Sequence, residues 1–300
     1  MPTRARNVSC VALRPPQRGE VWLFDCGEGT QHQLLRSDLN ISQVARIFIT
    51  HMHGDHVLGL MGLLATCGMT AHARGITIYG PRPIADYVRE VSRRTQFQTN
   101  YPLDVVEVKD GLVFEDEEFT VACAQLKHRL TAYGYRVVEK DRPGHFDVEK
   151  ARELGIPAGP LYGKLKQGET VTLADGRTFR GADFCGPVQR GRVVAYCTDT
   201  TYCRASVALA RDADLLIHEA TFADADEVLA VRSTHSTARM AARVASEAGA
   251  RRLVITHFSP RYFPGNDVGP DDLLEEARAV FPMTEMAQDF RAFDVERREE

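Results

Sequence analysis

The stretch Thr50-His51-Met52-His53-Gly54-Asp55-His56 places three histidines and one aspartate within six residues. The apolar run Arg46-Ile47-Phe48-Ile49 precedes it, and an uncharged run over residues 57–71 follows. This order predicts a strand, a tight loop and a helix, with the polar cluster at their junction. A histidine-rich surface turn is the alternative, but apolar elements on both sides argue against it. Because imidazole and carboxylate groups suit zinc, manganese and iron, the cluster indicates a metal site.

The composition is that of an ordinary globular protein of 300 residues, 44% hydrophobic and 26% charged. This length suits one large domain or two smaller ones. The seven cysteines are scattered singly and form no C-x-x-C pair, which argues against a disulfide framework and for a reducing compartment. Residues 1–6 contain no apolar segment, so we expect no signal peptide. The longest uncharged run has 15 residues, too few to span a bilayer.

The net charge of −4 is unevenly distributed along the chain. Residues 267–300 include 11 acidic and 4 basic side chains, whereas the remaining 266 residues include 33 basic and 30 acidic ones. Binding to phosphate groups depends on local patches of positive charge rather than on the total. The negative total therefore does not exclude a nucleic-acid partner.

The apolar patterns predict an α/β protein in which strands and helices alternate. Strands are expected at residues 8–13, 20–25, 46–50, 76–79, 103–108, 119–126, 134–139, 192–197, 215–217 and 252–256, with an edge strand at 290–295. Helices are expected at residues 31–39, 84–93, 236–249 and 271–280.

Four of the predicted strands end in side chains that bind metals. They lead into His51, His53, Asp55 and His56 at the first strand end, and into His128, Asp199 and His257 at the other three. In α/β sheets, binding sites collect beyond the carboxyl ends of the strands. A single zinc ion takes about four ligands, so seven donors suit two ions that share one carboxylate. Paired metals, roughly 3.5–4 Å apart, promote an in-line displacement at phosphorus or at a carbonyl carbon.

The pattern changes between residues 140 and 184, where hydrophobic periodicity fades and Gly, Pro and Lys accumulate. The centre of this insertion, residues 155–168, contains Lys164 and Lys166 and no acidic residue. An insertion of this length inside a compact domain is usually functional or mobile. Its composition suits a solvated loop as well as a binding arm.

Several motifs resemble those of the ribonuclease Z family (bacterial ribonuclease BN) within the metallo-β-lactamase superfamily. The His-x-His-x-Asp-His pattern alone indicates only the superfamily. The motifs that narrow the resemblance are Phe24-Asp25-Cys26-Gly27-Glu28-Gly29-Thr30-Gln31, residues 50–59, Thr77-Ile78-Tyr79-Gly80-Pro81, His218-Glu219-Ala220-Thr221, His235-Ser236-Thr237 and Ile255-Thr256-His257. Together with the Gly- and Pro-rich insertion, they extend over nearly the whole chain.

The resemblance implies a metallo-β-lactamase αββα sandwich of the α/β class. A single domain, residues 1–300, would carry residues 140–184 as a protruding flexible arm. The resemblance also implies two Zn²⁺ ions per subunit, and Mn²⁺ or another divalent metal suits the same donors. By position in the motifs, one ion would bind His51, His53 and His128, and the second would bind Asp55, His56 and His257. Asp199 would bridge the two ions.

Catalytic roles also follow from the resemblance. Asp55 would be the general base on a water shared by the two ions, and His235 the general acid for the leaving oxygen. Glu219 would orient and charge the His235 imidazole. Considered without the resemblance, His235 at a helix start is more often a cap or a surface residue. Asp25, at a strand end, is expected to hydrogen-bond to a metal-binding histidine. Of the other histidines, we expect His218 to be a core or supporting residue, and no special role for His32, His72 and His145.

The family resemblance implies an endoribonuclease that removes the 3′ trailer of precursor tRNA, leaving a tRNA 3′-hydroxyl and a trailer 5′-phosphate, with exoribonuclease activity as an addition. The arm would hold the tRNA elbow, with Lys164 and Lys166 on its phosphates. A cytoplasmic homodimer is implied, in which the arm of one subunit serves the site of the other, with no membrane and no nucleotide cofactor. Two alternatives are a hydrolase of a small phosphodiester or thioester with the same fold, and a metal-stabilised RNA-binding protein without catalysis.

Three features depart from the family pattern. The motif Pro2-Thr3-Arg4-Ala5-Arg6-Asn7 begins almost at residue 1, so the strand that normally precedes it is expected to be missing, through a misassigned start or the loss of an edge strand. Thr198 precedes Asp199 where a glycine is common, and Met240 stands where a glutamine is common. Neither of these two residues is an expected ligand.

Overall fold

The computed structural model describes residues 2–16, 18–69, 75–263 and 266–298. These residues form fourteen strands and ten α-helices. The strands are β1 (Val11–Leu13), β2 (Val21–Phe24), β3 (Val44–Phe48), β4 (Ile76–Gly80), β5 (Leu103–Glu107), β6 (Gly111–Glu115), β7 (Phe119–Gln125), β8 (Tyr133–Glu139), β9 (Thr170–Thr172), β10 (Thr178–Arg180), β11 (Val193–Cys197), β12 (Leu215–Glu219), β13 (Leu253–Thr256) and β14 (Thr284–Met286). The helices are α1 (Thr30–Arg36), α2 (Gly54–Val57), α3 (Leu60–Met69), α4 (Ile84–Thr95), α5 (Val148–Glu153), α6 (Pro160–Lys166), α7 (Arg204–Ala210), α8 (Glu227–Ser233), α9 (Ala238–Ala248) and α10 (Pro270–Arg278).

Two mixed sheets contain all of these strands except β9 and β10. The first sheet has the order β1-β2-β3-β4-β5, in which β2 to β5 are parallel and β1 is antiparallel to β2. The second has the order β14-β13-β12-β11-β8-β7-β6, with β11 to β14 parallel and the other neighbours antiparallel. Parallel strands need long crossover connections, and here helices supply them and cover the sheets.

Side chains alternate along the strands and divide the core into three layers. In β3, Ile47 packs with α1, α3 and α4 on the outer face, whereas Phe48 lies between the two sheets. In β12, Leu216 packs with α7, α9 and α10, whereas Ile217 lies between the sheets. Aromatic rings fill much of the central layer; Phe24 stacks on Phe48 with ring centroids 5.0 Å apart. The predicted αββα sandwich is confirmed.

Residues 140–184 form a small folded unit rather than a structureless loop, and we call them the arm. It contains α5, α6 and the antiparallel hairpin β9–β10. These elements surround a buried cluster of Phe146, Ala151, Ile156, Leu165, Val171 and Phe184. Hydrophobic periodicity fades here because each element has only three to seven residues, which is too short to show a clear period.

The edge strand predicted at residues 290–295 is wrong. Strand β14 pairs with β13 at this edge of the sheet, and residues 290–295 belong to no strand. Arginine side chains bind the carbonyl groups instead, with Arg252 Nη1 donating to Asp294 O at 2.7 Å and Arg192 Nη1 to Val295 O at 3.3 Å. Phe293 and Val295 pack against the central layer. The apolar pattern of this segment therefore reflects packing rather than strand pairing.

Several elements lie where the sequence predicts none, among them β6, β14, α7 and α8. His72, for which no special role is expected, lies outside the residues that the structure describes. None of the helices in the described part of the chain is long and apolar enough to cross a membrane.

Candidate metal centre

The four predicted strand ends meet at one place in the structure. Residues 51–56 follow β3, His128 follows β7, Asp199 follows β11 and His257 follows β13. Among the described residues, potential ligand atoms form three groups, and within each group all of these atoms lie within 4.8 Å of one another. Two of the groups consist of the seven predicted ligands, and the third combines Asp199 and His257 with His235. The first group is His51, His53, His128 and Asp199, and the second is Asp55, His56 and His257. The structure therefore brings together all seven predicted metal ligands.

Asp199 lies between the two groups and faces both. Its Oδ2 is 3.3 Å from His51 Nε2 and 3.9 Å from His128 Nε2. Its Oδ1 is 3.3 Å from His56 Nε2 and 3.2 Å from His257 Nε2. Each carboxylate oxygen thus has its own set of imidazole nitrogens, an arrangement that suits a bridging ligand.

The donor atoms of both groups are arranged as metal ligands rather than as hydrogen-bond partners of one another. His53 Nδ1 lies 2.8 Å from His51 Nε2 and 3.4 Å from His128 Nε2. Three imidazole nitrogens that converge in this way are the usual ligands of one zinc-type ion. In the second group, the buried Nε2 of His56 has no hydrogen-bond partner among the described residues, although Asp199 is within ion-pair distance. A buried polar atom without a partner is costly, and a bound cation would satisfy it.

Two glycines let the loop after β2 lie directly against the cluster. A Cβ at Gly27 would be 2.2 Å from the carbonyl oxygen of Asp55, and one at Gly59 would be 2.0 Å from that of Gly27. The same contact contains backbone hydrogen bonds from Cys26 N to His56 O at 2.8 Å and from Gly59 N to Cys26 O at 2.9 Å. This close packing fixes the short helix α2, which carries Asp55 and His56.

Three of the polar residues at strand ends have left-handed backbone conformations. Their φ angles are 63° at Asp25, 45° at Asp199 and 61° at His257. Positive φ is uncommon for residues other than glycine, and such strained residues cluster at functional sites. Here they turn the chain sharply after β2, β11 and β13.

Four of the five histidines in the two groups direct their outer ring nitrogen at an acceptor. The Nδ1 contacts are His51 to Thr50 Oγ1 (3.0 Å), His56 to Asp25 Oδ2 (2.8 Å), His128 to Thr234 O (3.1 Å) and His257 to Thr221 Oγ1 (2.9 Å). With the proton held on Nδ1, Nε2 is free to bind a metal. The predicted contact of Asp25 with a histidine of the cluster is confirmed. The parts played by Thr50, Thr221 and Thr234 were not predicted, because hydroxyl and carbonyl groups leave no distinct sequence pattern.

Asp25 supports one histidine in each of the two groups. Its fully buried carboxylate accepts hydrogen bonds from Thr50 N and Thr50 Oγ1, both at 2.8 Å, and from Tyr196 OH at 3.0 Å. It thus supports His56 directly and His51 through the Thr50 hydroxyl. Burial lowers the pKa of His56, but the charges of Asp199 and Asp25 outweigh it and raise that pKa well above its ordinary value.

Glu219, at the end of β12, is fully buried beside His235. Its carboxylate accepts a hydrogen bond from His235 Nδ1 at 2.8 Å. Backbone amides surround it, with Thr200 N at 2.7 Å and Ser236 N at 3.1 Å. Although burial lowers the pKa of His235, the charge and hydrogen bond of Glu219 outweigh it and raise that pKa to about 9. The structure therefore contains the predicted Glu219–His235 pair, in which the carboxylate favours the protonated imidazole.

The centre opens to solvent on one side. His51, His56 and Asp199 are buried, whereas the side chains of Asp55 and His257 are 30% and 16% exposed. The nearby imidazole of His257, with Nε2 3.8 Å from Asp55 Oδ2, lowers the pKa of Asp55 against the opposing effect of burial. A substrate would therefore meet an ionised Asp55 at the opening.

The remaining residues singled out in the sequence lie elsewhere. Lys164 and Lys166 are exposed on α6 of the arm and belong to neither ligand group. His218 is a buried core residue whose Nδ1 donates to Glu219 O at 2.8 Å. His32 and His145 are exposed.

Comparison with known proteins identifies the family. The family model of the metallo-β-lactamase superfamily matches residues 3–138, and that of a β-lactamase superfamily domain matches residues 164–258. Ribonuclease Z of Nostoc sp. is 60% identical over 100% of this chain and 93% of its own length, and Ribonuclease Z of Trichodesmium erythraeum is 60% identical over 99% and 92%. The crystal structure of human tRNase Z, short form, has a TM-score of 0.70 at 30% identity, covering 98% of this chain and 95% of that one. A metallo-β-lactamase fold protein of Bacillus subtilis, at 19% identity and a TM-score of 0.66 over 96% and 92% of the two chains, shares the fold. The family resemblance of the motifs is thus confirmed, and this chain belongs to the ribonuclease Z family of the metallo-β-lactamase superfamily.

Proposed function

We propose that this protein is a two-metal endoribonuclease that removes the 3′ trailer of precursor tRNA, leaving a 3′-hydroxyl on the tRNA and a 5′-phosphate on the trailer. The observation that carries the proposal is Asp199, whose two carboxylate oxygens face two separate sets of imidazole nitrogens. A pair of metals clamps the attacking and leaving oxygens of an in-line displacement at phosphorus. The substrate class comes from the relatives named Ribonuclease Z and tRNase Z.

Two Zn²⁺ ions per subunit suit the donor set, and Mn²⁺ suits the same nitrogen and oxygen ligands. His51, His53 and His128 would hold one ion, Asp55, His56 and His257 the other, and Asp199 both. When bound, the two cations lower the pKa of a shared water so that hydroxide forms near neutral pH.

The chain's own side chains then move the protons. Asp55, which is ionised and partly exposed at the opening, accepts the proton of the attacking water. His235 donates a proton from Nε2 to the 3′-oxygen of the tRNA, because Glu219 holds its Nδ1–H. The oxygen of water bonds to phosphorus, the bond to the 3′-oxygen breaks, and the phosphate remains on the trailer. In the metal-free protein Glu219 raises the pKa of His235 to about 9, which favours the protonated imidazole that a general acid needs.

The arm would hold the tRNA away from the cut, with Lys164 and Lys166 on backbone phosphates. Both side chains are exposed, and among the described residues neither has an ion-pair partner. In contrast, Arg152, Arg177 and Arg180 of the arm pair with nearby acidic residues. Unpaired lysines on a folded support suit phosphate contacts, whereas a hydrolase of small esters has no use for them.

The protein would work as a cytoplasmic homodimer in which each arm serves the partner's site. Supporting this, α1 and α3 pack together, and their layer exposes three large apolar side chains. These are Leu35, Leu58 and Met69, at 65%, 59% and 80% exposure. A dimer interface on this layer would remove these side chains from water. Light scattering during size-exclusion chromatography tests the dimer, since a monomer at micromolar concentration would contradict it.

Cleavage of a defined precursor tRNA tests the proposed function. Zinc-loaded protein should release the trailer in one cut and leave the stated ends, and longer incubation would reveal any exonucleolytic trimming. A His53→Ala protein should bind the RNA but not cleave it. If the wild type hydrolysed bis(p-nitrophenyl) phosphate yet left precursor tRNA intact, the small-ester hydrolase would be the better account. Equal processing by His53→Ala and wild type would show that metal binding at His53 is not needed for cleavage.

A further inference from the structure

His53 differs from the other four histidines of the proposed ligand set. Its Nδ1 faces the centre, 2.8 Å from His51 Nε2. Its outer nitrogen, Nε2, lies 3.0 Å from Nη2 of Arg129, whereas the outer nitrogens of the other four face acceptors. A cationic donor therefore stands where every other ligand histidine has an acceptor.

This contact conflicts with metal binding. A guanidinium group can only donate hydrogen bonds, so the contact requires His53 Nε2 to accept, which places the ring proton on Nδ1. A cation bound through Nδ1 requires that proton to be on Nε2 instead. Two donors would then face each other, and Arg129 would have to leave His53.

Arg129 is held at the opening of the centre by its backbone. Its amide donates to Thr234 Oγ1 at 3.0 Å, and it directly follows His128, while its side chain is exposed. No carboxylate of the described residues is within ion-pair distance of its guanidinium. Once separated from His53, this charge lacks a partner in the described parts of the chain. Guanidinium groups bind phosphate through paired hydrogen bonds.

We propose that Arg129 is a phosphate-binding residue that metal loading frees to contact the RNA backbone. The imidazole of His53 separates the guanidinium from the ligand atoms. Because Arg129 approaches from the Nε2 side of this ring, away from the ligand nitrogen, we assign it a phosphate next to the cleaved phosphodiester rather than the cleaved one itself. The proposal rests on the endoribonuclease function proposed above.

Steady-state kinetics of the zinc-loaded protein test this contact with two substrates. Arg129→Gln should raise the KM for precursor tRNA about tenfold, as expected for the loss of one charged hydrogen-bonded contact. The slope of log KM against the logarithm of the salt concentration should decrease by about one, which corresponds to one counterion fewer released. Arg129→Lys should keep the salt dependence, and Arg89→Gln, an exposed arginine on α4, should change nothing. Hydrolysis of bis(p-nitrophenyl) phosphate, which has no neighbouring phosphate, should be unaffected.

Zinc affinity provides a readout that is independent of activity. When metal-free protein competes with a chromogenic chelator, Arg129→Gln should bind zinc at least as tightly as the wild type, because a competing donor is gone. Weaker zinc binding would mean that Arg129 supports His53, and it would overturn the proposal. So would an unchanged KM for precursor tRNA, or an equal loss on both substrates. If instead the proposed function is wrong, the wild type will remove no trailer from precursor tRNA. The zinc measurement would still test the role of Arg129 in that case.

Discussion

Nδ1 of His235 donates a 2.8 Å hydrogen bond to Oε1 of the fully buried Glu219. The carboxylate also binds Thr221, whose hydroxyl donates to Glu219 Oε2 at 2.5 Å and accepts from His257 Nδ1 at 2.9 Å. One buried charge therefore supports both the proposed proton donor and a proposed metal ligand.

Substitution of Glu219→Gln should lower the pKa of His235. The amide keeps a hydrogen-bond acceptor but loses the charge that contributes most to raising this pKa to about 9, while the smaller raising effect of Asp199 and the opposing effect of burial remain. The pKa should therefore fall towards the ordinary value of about 6.5. Titration of the His235 ring by NMR in metal-free protein measures the shift. A pKa that stays near 9 would show that Glu219 is not its cause.

The sign of the pH effect on stability follows from the same shift. Because the pKa of His235 is raised on folding, its stabilising contribution is complete below the unfolded value of about 6.5. The contribution is lost as the pH rises through about 9. Because Glu219→Gln should lower the pKa of His235, the alkaline limb of the pH–rate profile should move to lower pH in this variant. A limb in the same position would argue against His235 as the general acid.

Substitution of Thr221→Val should weaken the binding of one metal ion. The hydroxyl fixes the tautomer of His257, and the loss of such a supporting contact typically costs about 10- to 100-fold in metal affinity or activity. Thr221→Ser keeps the hydroxyl and is the matched control. Metal analysis after equilibrium dialysis should show one weakened site in Thr221→Val. Two sites of unchanged affinity would contradict this role.

Substitution of Gly59→Ala should destabilise the fold around α2. The added Cβ would lie 2.0 Å from the carbonyl oxygen of Gly27, and overpacking of this kind costs about 1–3 kcal/mol. Gly163→Ala in α6, where nothing lies within 4 Å of the new Cβ, should be neutral or stabilising by up to about 1 kcal/mol. Urea unfolding of metal-free protein gives both values. Equal stability of the two variants would contradict the packing described for Gly59.

The double substitution Lys164→Gln/Lys166→Gln should weaken precursor tRNA binding without affecting chemistry. The salt dependence of the KM should fall by about two ions, and hydrolysis of bis(p-nitrophenyl) phosphate should be unchanged. Arg93→Gln/Arg94→Gln on α4 is the matched control. Substitution is sharper than deletion of residues 155–168, because the deletion would remove Ile156 and Leu165 from the core of the arm. Equal tRNA kinetics in the double variant would argue against phosphate contacts by these lysines.

Much of the ligand set was predictable because of sheet geometry. His51 follows β3 of the first sheet, and His128, Asp199 and His257 follow β7, β11 and β13 of the second. The carboxyl ends of these apolar strands meet at one edge of the sandwich. The motifs supplied the pairing of Glu219 with His235. Thr221 lies in one of the motifs, but neither the role of its hydroxyl nor that of the Arg129 guanidinium was indicated, since these contacts depend on how distant loops meet. The positive φ angles of Asp199 and His257 are likewise set by tertiary structure.

The sequence was less informative where helices and strands are short, and where an extended segment packs its apolar side chains without pairing with a strand. The arm's core is formed by helices and strands of three to seven residues, so periodicity could not show it. At residues 290–295, apolar side chains pack against the central layer while arginines bind the backbone. Alternation alone does not distinguish this extended segment from a paired strand.

Zinc titration of metal-free protein tests the central claim most directly. Cleavage of precursor tRNA should be absent without metal and should rise to its maximum at two zinc ions per chain, in step with the bound metal. In Asp199→Ala, which removes the shared carboxylate, neither the stoichiometry of two nor the rate should be restored. Full trailer removal by metal-free protein, or at one zinc ion per chain, would contradict the two-metal account.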